Sequence, residues 1–150
     1  MTTNNEHTNA FLIHLSAFTG YFIPLGSILF PLIVWNLKKD ESEYVNHHGK
    51  EAVNFNLSFL LYYTVLLITL FPILFKTIFQ LVSHVEHLEH LNHFDQVQQL
   101  FSFGGWFSLF GIVVLIGSLS IFKFIIIIIA AVKAQQGEYF KYPLRINFIK

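Results

Sequence analysis

The chain has 150 residues, of which 54% are hydrophobic and only 12% are charged, with 9 basic and 9 acidic residues. This balance gives no reason to expect binding to nucleic acid, and the lack of cysteine excludes thiol catalysis, disulfides and thiolate metal sites. No phosphate-binding glycine loop, serine nucleophile elbow or pair of catalytic carboxylates occurs. The sequence therefore predicts a protein that is not an enzyme and has no cofactor or evident small-molecule substrate.

Apolar residues concentrate in three blocks, at about 10–37, 52–82 and 103–132. Each block is longer than the ~20 residues that span a hydrocarbon core of about 30 Å. We therefore expect an all-α membrane protein, a single domain of three transmembrane segments in contact with lipid.

Pro24 and Gly26 interrupt the first block. Proline removes a backbone donor and clashes with the preceding helical turn, while glycine adds a flexible position. Residues 10–37 give about 42 Å of helix at ~1.5 Å per residue, which is enough for one tilted crossing. We expect one crossing made of two half-helices, about 10–23 and 27–37, with a re-entrant hairpin as the alternative.

The second block carries a stripe of polar residues that enters the membrane from one side. Their spacing of +4, +3, +4 and +4 places them on one helical face: His47, Glu51, Asn54, Ser58 and Tyr62. Polar groups at membrane depth usually face the interior of a helix bundle. The stripe therefore predicts a polar seam that fixes packing between helices, or alternatively a polar path or a groove for a partner helix.

A histidine run, "HVEHLEHLNHF", follows the second block and predicts an external amphipathic helix at about 83–101. Histidine recurs there at every third residue, so the four imidazoles cannot share one helical face. We expect no metal site, and His87 and His90 are the weak candidates for one.

The third block presents small residues on one face, which permits close helix packing in membranes. They are Gly104, Ser108, Gly111 and Ser118. Beyond this block, residues 134–150 form a tail in which apolar and polar residues alternate from Phe140 to Phe148. Period 2 predicts an extended tail, lying against the membrane face or against the 38–51 loop.

Basic residues are distributed unevenly over the segments that flank the blocks. Three crossings place the 38–51 loop and the C-terminal tail on one side with Lys38, Lys39, Lys50, Lys133, Lys141, Arg145 and Lys150, and leave only Lys76 on the other. The positive-inside rule then predicts an external N-terminus and a cytoplasmic C-terminus.

Four stretches, "HLSAFTGYFIP", "PLIVWNLKKDES", "HGKEAVNFNLS" and "AVKAQQGEYFKYPLRINFI", resemble the Tic-twenty-like family of small bacterial membrane proteins. The element H-G-K-E-A-x-N-F at residues 48–55 is the most specific of them. The resemblance implies a helical bundle in the bacterial inner membrane and a link to protein translocation or membrane-protein assembly.

These observations favour an accessory subunit that packs against a larger, hetero-oligomeric membrane complex. The alternative is a small oligomeric channel or carrier that uses the polar stripe of the second block.

Overall fold

The structure, a computed structural model, describes residues 2–87 and 103–150, and every regular element in these two ranges is helical. We number the helices α1 (Thr2–Ser16), α2 (Gly26–Lys38), α3 (Glu43–His87) and α4 (Phe103–Gln135). A 3₁₀ turn at Ala17–Tyr21 follows α1. The C-terminal tail, residues 138–150, has neither helix nor strand. The expected all-helical fold is confirmed, and the tail is not part of a sheet.

The chain reverses between α1 and α2. Thr19 donates its hydroxyl to the carbonyl of Ser16 at 2.7 Å, which tightens the end of α1 into the 3₁₀ turn. Leu25 then adopts a left-handed backbone with φ of 61°, and α2 starts at Gly26 and packs back on α1.

This reversal differs from the single crossing expected for residues 10–37. Asn9 and Glu41, at the outer ends of the two helices, are joined by a side-chain hydrogen bond of 2.7 Å. The half-helices therefore exist, but they return the chain to the end of the bundle at which it started. A helix length of about 42 Å is too short for two arms that each cross the whole bilayer, but it is sufficient for a hairpin that does not cross.

Helices α3 and α4 contain the two stretches that are long and apolar enough to cross a membrane. They are Glu43–Lys76 and Phe110–Gln135, which contain 18-residue windows with mean hydropathies of 2.2 and 2.9. A third crossing is not confirmed, because α2 has only 13 residues and belongs to the hairpin. Helix α3 continues without interruption to His87, so the expected external helix at 83–101 does not begin as a separate element, and residues 88–102 lie outside the described ranges.

The described chain divides into two compact units. The first contains residues 1–62 and 121–150, and the second contains residues 63–120. In the first unit, Ile13, Val45 and Ala52 form a buried apolar cluster, against which Val34 and Trp35 of α2 pack. Gly49 permits this packing, because a Cβ added there would lie 2.0 Å from Cδ1 of Trp35.

Local signals explain where α3 begins and α4 ends. The hydroxyl of Ser42 accepts a hydrogen bond from the backbone N–H of Val45 at 3.2 Å, as a helix N-cap does. Gly137 has a φ of 82°, the left-handed conformation that commonly ends a helix, and the tail leaves α4 from there.

In the second unit, Tyr63 and Ser120 join α3 and α4 by a hydrogen bond between their hydroxyls, 3.1 Å apart. Many large apolar side chains of this unit are exposed, such as Leu67, Ile68, Phe110 and Val113. Exposed apolar surface of this extent suits a lipid environment.

Candidate functional site

The C-terminal tail lies along the polar stripe of α3. All five stripe residues make a hydrogen bond to the tail, and in each case the tail contributes a backbone group. The partners are Phe140 for His47, Tyr142 for Glu51, Phe148 and Ile149 for Asn54, Ile146 for Ser58, and Leu144 for Tyr62. We call these five side chains the tail-binding seam.

The order of these contacts shows the path of the tail. From residue 140 to residue 144 the tail runs in the same direction as α3, because its contacts move from His47 to Tyr62. It then reverses at Leu144, whose φ is 58°, and returns past Ser58 to Asn54. The tail is therefore a second hairpin, held by side chains of a helix rather than by a neighbouring strand.

Glu51 makes the charged contact of the seam. Its Oε2 accepts a hydrogen bond from the backbone N–H of Tyr142 at 3.1 Å and lies 2.9 Å from Nε of Arg145. The Glu51 side chain is almost fully buried and that of Arg145 is mostly covered. A carboxylate in such surroundings requires both a counter-charge and hydrogen-bond donors, and the tail supplies them.

A second group of polar side chains connects α1 to the same tail. Nδ1 of His14 lies 2.9 Å from the hydroxyl oxygen of Tyr142, and Nε2 of His14 lies 2.9 Å from Nδ1 of His48. A neutral imidazole can accept a hydrogen bond from Tyr142 at one nitrogen and donate one to His48 at the other. The ring of Tyr142 also stacks on Phe55, with centroids 4.0 Å apart.

Burial controls the charge state of this group. Burial holds the pKa of the His14 imidazole well below its usual 6.5, and the nearby imidazoles of His48 and His47 lower it further. Burial also raises the pKa of the Tyr142 hydroxyl well above its usual 10, and the Glu51 carboxylate adds to this effect. Both groups are therefore neutral near pH 7, as the hydrogen-bond chain requires.

His14, His48, Tyr142 and Arg145 were not among the residues that the sequence pattern selected. Ala10, Ile13, His14 and Ala17 are all buried and follow the spacing of one helical face. That periodicity was the available signal for His14, since it places a histidine in the middle of an otherwise apolar stripe.

The remaining predicted residues lie apart from the seam. Pro24 is exposed in the reversal before α2, and Gly26 is buried against Thr19. A Cβ added to Gly111 would meet nothing within 4 Å in the described part of the chain, and Ser118 bonds to the carbonyl of Leu115 in its own helix. The structure does not describe the surroundings of Gly104 and Ser108, so their packing role stays a prediction.

Within the two described ranges, no group of three or more histidine or carboxylate side chains is placed so that it could hold a metal ion. His90 lies outside these ranges and the side chain of His87 is not described.

The fold and the seam define a class of protein: a small helical membrane protein whose C-terminal tail is bound along its longest helix. The sequence model of the MamF/MmsF family, the magnetosome magnetite crystal formation protein family, matches residues 5–149. The chain belongs to this family, and it is a bacterial membrane protein. No curated protein and no solved structure matches it.

This membership corrects the Tic-twenty-like assignment. That resemblance depended on four short stretches, whereas the magnetosome family accounts for nearly the whole chain, including the histidine run. The expected link to protein translocation loses its basis with it, and the family match gives no support to the role of accessory subunit.

Proposed function

We propose that the protein is a non-enzymatic membrane protein of the magnetosome that acts in the formation of magnetite crystals. The observation that carries this proposal is the family match over residues 5–149. The buried polar side chains of the seam agree with a role other than catalysis, since each is already bonded to the tail of the same chain.

The structure gives less support to a channel or carrier. That alternative requires the stripe from His47 to Tyr62 to face a water-filled path. All five of its side chains are instead occupied by backbone groups of the tail.

We also propose a topology in which both termini lie in the cytoplasm. His7 of α1 lies against Gly137 at the end of α4, and Asn9 bonds to Glu41 before α3, so these segments share one end of the first unit. The basic residues Lys38, Lys39, Lys133 and Lys141 belong to this end or its neighbouring segments, and the positive-inside rule places them in the cytoplasm.

With one crossing by α3 and one by α4, the segment between these helices faces the interior of the magnetosome, where the crystal grows. The last turn of α3 and this segment together contain the histidine run with Glu86, Glu89 and Asp95. Imidazole and carboxylate groups are ligands of iron ions. We therefore assign contact with the iron substrate or the mineral surface to this segment.

The test is deletion of the gene in a magnetite-forming bacterium, followed by return of wild-type or variant genes and electron microscopy of the crystals. Deletion is expected to change crystal size or shape while magnetosome membranes still form, and the wild-type gene is expected to restore the crystals. A variant with Gln at His84, His87, His90 and His93 is expected to accumulate normally but restore them poorly. Unchanged crystals after deletion would contradict the proposed function.

A further inference from the structure

The first unit contains two chain reversals with a common feature. Each has a leucine with a left-handed backbone, Leu25 with φ of 61° and Leu144 with φ of 58°, and these are the non-glycine residues of positive φ in the described ranges. Glycine adopts this conformation without steric cost, whereas a side chain makes it unfavourable by roughly 1–2 kcal/mol. Leucine instead places an apolar side chain at each reversal.

The two reversals lie at the same level of the bundle. The rings of Phe18 and Tyr21, just before the first reversal, contact Phe124 of α4 at centroid distances of 5.0 and 6.2 Å. At the second reversal, the carbonyl of Leu144 accepts a hydrogen bond of 2.6 Å from Tyr62 of α3.

Contacts between α3 and α4 connect these two positions. The ring of Phe59 lies 5.8 Å from that of Tyr62 and 6.3 Å from that of Phe122, centroid to centroid. Phe124 is about 15 Å along α4 from Ala134, at ~1.5 Å per residue. The carbonyl of Ala134 accepts a hydrogen bond from the hydroxyl of Tyr44 at the end of the unit where α1 begins and α4 ends. Both reversals therefore point away from that end.

Both reversals expose apolar side chains. Phe22 is 87% exposed and Leu144 is 61% exposed, and Ile23 and Leu25 are about half exposed. The first reversal, residues 17–26, has no charged residue. These surfaces would be unfavourable in water.

Several backbone groups of each reversal are bonded within the protein. In the first, the N–H groups of Phe22 and Ile23 donate to the carbonyl of Thr19, that of Gly26 donates to Ile23, and Pro24 has no N–H. In the second, side chains of the tail-binding seam bond the N–H of Tyr142, the carbonyl of Leu144 and the N–H of Ile146. Water can satisfy such groups on a surface, but hydrocarbon cannot, so irregular backbone at membrane depth needs partners from the protein.

We propose that both reversals, at residues 22–25 and 143–144, enter the hydrocarbon of the bilayer from the side that holds the two termini, and do not cross it. The occupant of these apolar surfaces is lipid, because α3 and α4, which hold both reversals, themselves contain the apolar stretches that cross the membrane. The tail-binding seam then has a physical purpose, since it supplies hydrogen-bond partners to an extended segment beside lipid.

Lys123 lies next to Phe124 at the level of the reversals, with its ammonium 5.8 Å from the centroid of the Phe59 ring. An aromatic face attracts a cation at this distance, so the charge of Lys123 has a favourable contact within the protein at the level of the reversals.

The test uses the absence of cysteine from the chain. Single cysteines at Phe22, Ile23 and Leu144 are labelled with an environment-sensitive fluorophore, and the protein is reconstituted into liposomes with and without doxyl-labelled lipids. Asp40→Cys, at the opposite end of the first unit, is the matched control. The first three probes are expected to be quenched by doxyl lipid and to be reduced by aqueous dithionite several-fold more slowly than the probe at position 40.

These side chains are exposed or half-exposed, so their replacement leaves the core unchanged, and an unchanged circular dichroism spectrum verifies the fold. A probe at position 144 that behaves like the one at position 40 would overturn the proposal for the tail. The same result at both 22 and 23 would overturn it for the reversal between α1 and α2.

Discussion

The side chain of Asn54 binds both backbone polar groups of Ile149. Its Nδ2 donates to the carbonyl of Ile149 at 2.9 Å, and its Oδ1 accepts from the N–H of the same residue at 2.8 Å. A backbone segment of a neighbouring strand would offer the same pair of groups. One amide side chain on a helix thus replaces a strand partner for the tail, and Glu51, Ser58 and Tyr62 continue this role along α3.

Replacement of Asn54 by leucine is expected to release the end of the tail. The change keeps the branching of the side chain but leaves the N–H and the carbonyl of Ile149 without their partner, at about 1–3 kcal/mol for each group that is buried. Trypsin cleavage after Lys141 and Arg145, followed by mass spectrometry, measures the release.

Asn56→Leu is the matched control for this experiment. Asn56 is equally buried on the same helix, but its amide donates to the carbonyl of Ala52 and not to the tail. Equal rates of tail cleavage in the Asn54 and Asn56 variants would contradict the assigned role of Asn54.

The buried pair of Glu51 and Arg145 is expected to show strong coupling. Arg145→Leu removes the counter-charge from a buried carboxylate, and loss of one partner of such a pair costs about 3–5 kcal/mol. The double change to leucine at both positions should cost less than the sum of the single changes, as measured by thermal unfolding in detergent. Additive effects would show that the two side chains do not interact in the membrane protein.

Added methyl groups should distinguish close packing from open helix surface. A Cβ at Gly26 would lie 2.8 Å from the backbone of Thr19, and one at Gly49 would overlap the ring of Trp35. Gly26→Ala and Gly49→Ala are each expected to destabilise the protein by about 1–3 kcal/mol through overpacking. Gly117→Ala, where an added Cβ would meet nothing within 4 Å among the described residues, should be neutral or stabilising by up to about 1 kcal/mol. If Gly49→Ala unfolds at the same temperature as Gly117→Ala, the packing of α2 on α3 is not as described.

Stability should fall on mild acidification because of His14. Its pKa in the folded protein is lowered, so the unfolded chain binds a proton first and stability decreases as the pH falls through about 6.5. Near pH 7 and above, the stability that the neutral His14 side chain contributes is fully present. His14→Gln, which retains hydrogen-bonding capacity without the titration, should give a flatter dependence of melting temperature on pH between 7.5 and 5 than the wild type. The same slope in both proteins would exclude His14 as the source.

The five residues of the seam could be selected from the sequence because their spacing is a local property of one helix. Their partner could not, because Asn54 and Ile149 are separated by 95 positions and the alternation in the tail indicates only an extended segment. Tyr142 likewise appeared as one of several alternating aromatic residues, and its contact with His14 depends on how α1 and the tail pack on α3.

The break at Pro24 and Gly26 was visible in the sequence, but its direction was not. Proline and glycine mark where a helix stops and do not determine whether the next helix continues or returns. The return depends on contacts of α2 with distant residues, such as the hydrogen bond of Trp35 to Asn46 and the contact of Trp35 with Gly49.

Hydrogen–deuterium exchange of the tail in lipid nanodiscs tests the central claim most directly, namely that the seam of α3 binds the backbone of residues 140–149. The amides of Tyr142, Ile146, Phe148 and Ile149 donate to the seam and are expected to exchange slowly in the wild type. Protection of Ile149 should be lost in Asn54→Leu and retained in Asn56→Leu. Exchange of the whole wild-type tail at the rate of an unfolded peptide would contradict the account.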